Sequence, residues 1–111
     1  MAFAAQYRLH KKEDCRKIFK KPQIVKHQKY MMLLAMPNDL PHARLGLAIA
    51  KKHVKKSVDR SLVKRIIRES FRAKANSLPA LDMVMLAKFG IMSMTKKNLR
   101  LAVDNIFDEL R

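Results

Sequence analysis

The sequence is poor in the residues that build metal sites, disulfides and phosphate-binding loops. It contains one cysteine, two glycines and four histidines among 111 residues. Cys15 alone cannot form an internal disulfide, and the cysteine and histidine side chains are too few and too scattered for a zinc site. Two glycines are too few for a glycine-rich phosphate loop, and no histidine and carboxylate form a close catalytic pair. We therefore expect no catalytic residue and no metal held by protein side chains, and we interpret four side chains as solvent-exposed groups or phosphate contacts: His10, His27, His42 and His53.

Long uncharged runs are also absent. The longest, Tyr30 to Asn38, has nine residues, far fewer than the roughly 20 that a membrane-spanning helix needs. The first seven residues lack the basic segment that precedes the apolar part of a secretory signal. We therefore expect no membrane partner and a cytoplasmic location.

Acidic side chains are scarce relative to basic ones. Nine Asp and Glu face 25 Lys and Arg, which gives a net charge of +16, and 20 of the 25 basic side chains lie before residue 76. A chain of 111 residues with 49% hydrophobic residues can bury a core and is expected to fold as one domain over residues 1–111. Such an excess of positive charge predicts a polyanionic partner.

Hydrophobic periodicity predicts the order helix, two or three strands, helix, strand, helix. A strand-helix-strand unit between residues 44 and 87 predicts helices packed on a sheet. Gly46, inside the strand of this unit, indicates either close approach of another backbone or ligand, or a bulge. The predicted segments are a short helix that starts near Glu13 and ends before Pro22, strands at 30–35 and 44–50, a helix from a Ser57 cap to about residue 76, a strand at 82–87, and a last helix capped by Ser93 or Thr95.

The long helix separates positive from apolar side chains. At about 100° per residue, its cations fall on one side and its aliphatic residues on the other. Glu69 can pair within the helix with Arg65 or Arg72, which would neutralise part of the positive side. The cations are Lys56, Arg60, Lys64, Arg65, Arg68 and Arg72, and the apolar arc holds Val58, Leu62, Val63, Ile66 and Ile67.

A charged helix side is commonly no more than a solvated surface, but such surfaces mix glutamate with lysine. Cations in register repel one another and lower stability unless phosphates neutralise them. A membrane-surface helix would need its apolar side for lipid, whereas this apolar arc is needed for the core. The basic run Lys51 to Lys56 adds charge at the helix N-terminus, where anions are favoured. The pattern therefore predicts nucleic-acid contact, although a flexible basic loop is the alternative for residues 51–56.

Three segments carry a family resemblance. They are Arg44-Leu45-Gly46-Leu47-Ala48-Ile49-Ala50-Lys51-Lys52, Arg60-Ser61-Leu62-Val63-Lys64-Arg65 and Arg68-Glu69-Ser70-Phe71-Arg72. In this pattern the chain resembles the protein subunit of bacterial ribonuclease P. Looser matches at Arg8-Leu9, Ile18-Phe19 and residues 78–82 extend the resemblance over nearly the whole chain.

The resemblance implies an α+β fold. It is a two-layer α/β sandwich in which a four-stranded mixed sheet carries three helices, in the order α-β-β-β-α-β-α. It also implies a left-handed β-α-β crossover between the strand near residue 49 and that near residue 84, against the general right-handed preference.

The resemblance further implies a division of labour with an RNA. The protein binds the catalytic RNA of ribonuclease P through its basic helix and holds the 5′ leader of precursor tRNA in a cleft between the first helix and the sheet. The RNA, using Mg²⁺, performs the cleavage that frees the mature tRNA 5′ end. The implied contacts to the catalytic RNA are Lys51, Lys52, Lys55, Lys56, Arg60, Ser61, Lys64, Arg65, Arg68 and Arg72; those to the leader are Arg16, Phe19 and Tyr30.

Two departures from the family pattern affect these expectations. Ser61 and Leu62 stand where the family has Asn and Arg, so two polar contacts to the RNA are lost or altered, and Leu62 can serve the core instead. Cys15 stands where the first helix usually has an aromatic residue, so it cannot stack a base. For Phe19 and Tyr30, core packing is the alternative to base stacking.

Two other functions compete with this interpretation. One is a non-enzymatic RNA-binding protein, such as a ribosomal component. The other, a helix-turn-helix DNA regulator, is disfavoured because no short glycine turn and helix precede the basic helix. We expect the predicted ribonuclease P subunit to be monomeric.

Overall fold

The computed structural model describes residues 4–9 and 12–111. Three helices and four strands follow one another in the predicted order, which confirms the α+β fold. No helix in this part of the chain is long and apolar enough to cross a membrane. The elements are α1 (Lys12–Lys20), β1 (Ile24–His27), β2 (Met31–Pro37), β3 (Arg44–Ala48), α2 (Ser57–Lys74), β4 (Leu81–Ala87) and α3 (Lys96–Asp108), with short 3-10 turns at Ala5–Tyr7, Ala75–Ser77 and Ile91–Ser93.

The four strands form one mixed sheet in the order β1-β2-β4-β3. β1 pairs with β2 and β2 with β4, both antiparallel, whereas β3 and β4 are parallel, from Arg44 opposite Asp82 to Ala48 opposite Leu86. α2 is therefore the crossover connection between two adjacent parallel strands, the connection that the resemblance predicts to be left-handed. The β3–β4 register runs unbroken through Gly46, so this glycine does not mark a bulge.

One face of the sheet carries α2 and α3 over the main core. Alternate residues of β2 and β4, such as Leu33 and Met85, point into this core because side chains of a strand alternate between faces. Phe71 of α2 meets Phe107 of α3 edge-on, with ring centroids 5.9 Å apart. From the two helices, the buried apolar side chains are Val63, Ile66, Ile67, Phe71, Leu99, Val103, Ile106 and Phe107.

The opposite face of the sheet is covered by α1 over a smaller cluster. Ile18, Leu34 and Val84 are its buried members. Gly46 faces this layer, and a Cβ atom there would lie 3.3 Å from both Cys15 Sγ and a methyl group of Leu9. The groups that approach this glycine are thus side chains of α1 and of the segment before it, whereas the sequence predicted a backbone or a ligand.

The last helix is capped by Thr95, one of the two residues predicted for this position. Thr95 Oγ1 accepts a hydrogen bond of 3.1 Å from the N–H of Asn98. Before it, Gly90 turns the chain with φ +92°, in the left-handed region that glycine adopts without a steric penalty.

The predicted start of α2 is wrong in two respects. The N-cap residue of the helix is Lys56, whose side chain makes no capping hydrogen bond, so Ser57 is not the cap. Val58 is 75% exposed and not part of the core. Periodicity predicts the direction in which a side chain points around the helix axis, but not which turns of the helix the rest of the protein covers. In this structure the first turn of α2, which contains Val58, is not covered.

Candidate nucleic-acid interface

The cations of α2 lie along one flank of the helix, next to its buried residues Val63, Ile66 and Ile67. Within the described part of the chain, four of them make no ion pair with a carboxylate: Lys56, Arg60, Lys64 and Arg68. Together with Arg65 and Arg72, these four residues form what we call the cationic face. Lys56 and Arg65 are exposed and the other four are half-buried.

Arg60 holds the basic loop that precedes α2. Its Nη1 donates to the carbonyl oxygens of Val54, at 3.1 Å, and Lys55, at 2.9 Å. Val54 is buried in the main core, and its N–H and that of His53 donate to Ala50 O. The loop is thus anchored at both ends, while its lysines project outward. Lys51, Lys52, Lys55 and Lys56 are all exposed.

A positively charged cleft lies between α2, β3 and the segment before α1. Its volume is about 200 Å³, and Arg8, Lys64 and Arg68 line it with Gly46 and neighbouring leucines. Burial, and next the charge of Arg8, lower the pKa of the Arg68 guanidinium. An anion bound between these cations would relieve their repulsion.

Glu69 reduces the positive charge at one edge of the cationic face. Arg65 Nε lies 3.8 Å from Glu69 Oε1, which confirms the pairing predicted within the helix. A stronger partner comes from α3, since Arg100 donates to Glu69 Oε2 at 2.9 Å. The hydrogen bond from Arg100, aided by the charges of Arg100, Arg65 and Arg72, outweighs desolvation and lowers the pKa of the Glu69 carboxyl. Sequence spacing contained no signal for Arg100, because the contact joins two helices.

Other carboxylates are paired with cations outside the cationic face. Asp82 accepts from Arg44, and Asp108 accepts from Lys74 at the end of α2 and from Arg111. Arg44, Lys74 and Arg111, the cations of these pairs, are not among the predicted contacts to the RNA. Asp82 and Asp108 therefore do not neutralise the cationic face or the loop before it.

The two departures from the family pattern on α2 have different structural outcomes. Leu62 is half-buried and packs against the main core, as predicted for its place on the apolar arc. Ser61 is exposed, so its hydroxyl remains accessible to a ligand. Leucine in place of the family arginine at position 62 thus removes a polar side chain that could contact RNA and adds a contact to the core.

A second surface lies where α1 crosses the sheet. Ile18 anchors α1, whereas Phe19 remains 45% exposed and Arg16 is exposed. Cys15 turns inward toward Gly46, and burial, then the charges of Asp14 and Asp82, raise the pKa of its thiol. Beside α1, the partly covered sheet residues are Met32, Met36, Ala48 and Leu86.

Tyr30 is not brought together with Phe19. It lies in the turn between β1 and β2, where its ring contacts the turn at Gly90 and packs against the main core. Lys29 Nζ lies 5.2 Å from the centroid of this ring. A hydrogen bond with Ser93, followed by the contact with Lys29, lowers the pKa of the Tyr30 hydroxyl. If this residue contacts RNA, it does so at the end of the sheet and not beside α1.

The histidines occupy unrelated positions. His42 Nε2 lies 2.8 Å from Gln6 O, His27 lies beside Lys88, and His53 sits in the basic loop. His10 lies outside the described residues. Over residues 4–9 and 12–111, no three histidine, cysteine or acidic side chains are grouped closely enough to share a metal ion.

The sequence matches known proteins over almost its full length. The family described as Ribonuclease P matches residues 3–111. The ribonuclease P protein component of Photobacterium profundum is 38% identical over 110 residues, covering 99% of this chain and 92% of the relative. That of Idiomarina loihiensis is 33% identical over 110 residues, covering 99% and 88%.

Solved structures agree with the sequence comparison. A mutant RNase P protein of Staphylococcus aureus superposes with a TM-score of 0.86 at 26% identity, covering 94% of this chain and 87% of the other. The four-stranded mixed sheet with three helices is thus shared with proteins of this description.

Proposed function

This chain belongs to the ribonuclease P protein family, and on that premise we propose that its cationic face binds the catalytic RNA of the enzyme. The observation that carries the proposal is the row formed by Lys56, Arg60, Lys64 and Arg68, which make no ion pair with a described carboxylate. Phosphates of a folded RNA neutralise such a row and release counterions. The exposed lysines of the 51–56 loop extend the same surface at the N-terminus of α2.

The second part of the proposal concerns the precursor tRNA. Its 5′ leader lies against the sheet beside α1, where Phe19 offers an exposed ring for a base and Arg16 a cation for a phosphate. Cys15 is turned into the cluster under α1, so in this chain Phe19 supplies the aromatic contact on α1 alone. Base stacking on an aromatic ring contributes about 1–3 kcal/mol.

The third part assigns the chemistry to the RNA. The catalytic RNA cleaves the precursor with Mg²⁺ as its cofactor, and the protein raises the affinity for substrate. The protein acts as a monomer in the cytoplasm. Membership of the family supports these roles.

Reconstitution with the catalytic RNA tests the first part. Cleavage of precursor tRNA at low Mg²⁺ is expected to rise when the protein is added. Lys64→Ala and Arg68→Ala should weaken binding to the catalytic RNA, and each should reduce the slope of log affinity against log salt by about 0.7 to 0.9. Arg111→Ala is the matched control, because Arg111 pairs with Asp108 away from the cationic face. Equal slopes in all four proteins would contradict the interface.

The leader contact requires a separate comparison. Phe19→Ala should weaken binding of a precursor with a single-stranded leader, with little effect on mature tRNA. Phe19→Tyr, which keeps the ring, should restore most of the loss. If the protein instead co-sediments with ribosomes and leaves tRNA processing unchanged, a structural RNA-binding role is favoured.

A further inference from the structure

An exposed aromatic ring lies at the end of the sheet, away from the residues assigned above to α1 and α2. Phe89 follows β4 and is 78% exposed. Beside it are the turn between β1 and β2 and the short 3-10 turn that begins at Ile91. We call this region the sheet-end patch, and its members are Lys29, Tyr30, Lys88, Phe89 and Met92.

The backbone on both sides of Phe89 is fixed. Lys88 N–H donates to Tyr30 O at 2.9 Å, which continues the β2–β4 pairing by one residue. Gly90 has φ +92°, and a Cβ atom there would lie 2.9 Å from the Tyr30 ring, so the turn is pressed against that ring. Ile91 is buried in the main core. Phe89 is therefore held outward between anchored residues, as a binding platform requires.

The patch is strongly positive. Lys88 Nζ donates to Gln28 O at 2.8 Å and lies 3.3 Å from His27 Nδ1, while Lys29 lies over the Tyr30 ring. The two chain segments that form this end of the sheet, residues 15–38 and 83–103, contain no aspartate or glutamate. An anionic ligand meets no opposing charge from either segment.

The sheet-end patch adjoins the surface assigned to the leader. His27 pairs with Met32 across β1 and β2, so its side chain is on the α1 face of the sheet. Lys88 reaches His27 and therefore lies at the edge of that face. A single strand that crosses the partly covered sheet residues Met32 and Leu86 arrives at Lys88, the residue that precedes Phe89.

We infer that Phe89 is a stacking platform for a base of single-stranded RNA, and that Lys29 and Lys88 contact the neighbouring phosphates. The inference rests on the proposed function, because it adds a nucleotide contact beyond Phe19 to the same leader path. One exposed ring flanked by lysines suits a nucleotide, whose base is planar and whose phosphate is anionic. Protein interfaces, in contrast, are depleted in lysine at their centres.

Fluorescence gives a direct test, because the chain contains no tryptophan. Phe89→Trp places one fluorophore in the patch, and Leu101→Trp places one at a 51% exposed position of α3 as the control. Single-stranded oligoadenylate should quench the fluorescence of the Phe89→Trp variant saturably and leave that of the control nearly unchanged. The same strand in a duplex, where the bases are already stacked, should quench neither. Equal quenching in both variants, or none in either, would overturn the inference.

A binding series separates this inference from the proposed function. Phe89→Ala should lower affinity for a precursor tRNA with a long leader about fivefold, with no change for a precursor whose leader ends before the patch. Phe89→Tyr should restore binding. The melting temperature of Phe89→Ala should not fall, since the side chain is exposed. If Phe89→Ala binds both precursors like the unaltered protein while Arg68→Ala still weakens binding to the catalytic RNA, the stacking platform is wrong and the proposed function stands.

Discussion

Arg44 and Asp82 join the beginnings of two parallel strands, β3 and β4, through two hydrogen bonds. Arg44 Nε donates to Asp82 Oδ1 at 2.8 Å, and Nη2 donates to Oδ2 at 2.6 Å. Asn38 donates a third hydrogen bond to Asp82, and Asp14 of α1 lies 3.8 Å from Arg44. Because the Asp82 side chain is only 12% exposed, its charge depends on these partners.

Removal of the arginine leaves that carboxylate without its main partner. Arg44→Met should lower the free energy of unfolding by about 3 kcal/mol, measured by urea denaturation. Arg111→Ala breaks an exposed pair with Asp108 and should cost less than about 1 kcal/mol. The double variant Arg44→Met with Asp82→Asn should recover part of the loss. Equal effects of Arg44→Met and Arg111→Ala would show that the pair on β3 and β4 has no special weight.

Acid should weaken the fold partly through Asp82. Burial would raise the pKa of Asp82, but hydrogen bonds from Arg44 and Asn38 and the charge of Arg44 outweigh it and lower the pKa. A carboxyl whose pKa is lower in the folded state stabilises the protein above its unfolded pKa, about 3.9, and loses that contribution as the pH falls through the folded pKa. Urea denaturation between neutral pH and about pH 3 should therefore show a smaller acid-induced loss in the Arg44→Met, Asp82→Asn variant than in the unaltered protein. Parallel pH profiles would assign the loss to other carboxylates.

Phosphate should stabilise the protein by binding near Arg68. The repulsion between Arg8 and Arg68 in their cleft is relieved when an anion binds, so the melting temperature should rise saturably with phosphate. At about ten times the Kd, binding adds about 1.4 kcal/mol. Arg68→Ala should need more phosphate for the same rise, and Arg111→Ala should behave like the unaltered protein. A linear rise, identical in all three, would be the general salting-out effect and would contradict a specific site.

Arg60 should affect RNA binding through the loop as well as through its own charge. Arg60→Ala removes the donor to Val54 O and Lys55 O, so the lysines of the loop lose their fixed position. We expect faster amide hydrogen exchange at His53 and Val54, and a loss of RNA affinity larger than that of Lys64→Ala. Unchanged exchange at these two amides would show that Val54 anchors the loop without Arg60.

The sequence predicted the elements with strong periodicity and missed contacts between distant residues. α2 and its two sides followed from the repeat of Val63, Ile66 and Ile67. β1 was not located individually, because a strand of four residues that contains Lys26 and His27 has too little apolar pattern. Local preference favours serine as a helix cap, so the sequence predicts Ser57, whereas the N-cap residue is Lys56 at the end of the loop.

The site was predicted in the same uneven way. The cationic face depends on spacing within one helix, which the sequence records. The second role of Arg60 and the contact of Arg100 with Glu69 depend on how the chain folds back on itself. The sequence groups Tyr30 with Phe19 as an aromatic residue, but the Tyr30 ring packs against the main core, whereas Phe19 is 45% exposed on α1. Position along the chain contains no information on which face of a sheet a turn residue will cover.

Because β3 pairs with β4, the sheet can be completed only after α2 and β4 have been synthesised. Arg44 and Asp82 are separated by 38 residues, and α2 is synthesised between them. Until β4 has left the ribosome, Ile66 and Ile67 lack Met83 and Met85, the neighbours that complete the core beneath them. A nascent chain that ends before residue 81 thus contains every cation of the cationic face but has no finished scaffold on which to present it. The complete sheet is therefore needed before the cationic face is held as it is in the folded protein.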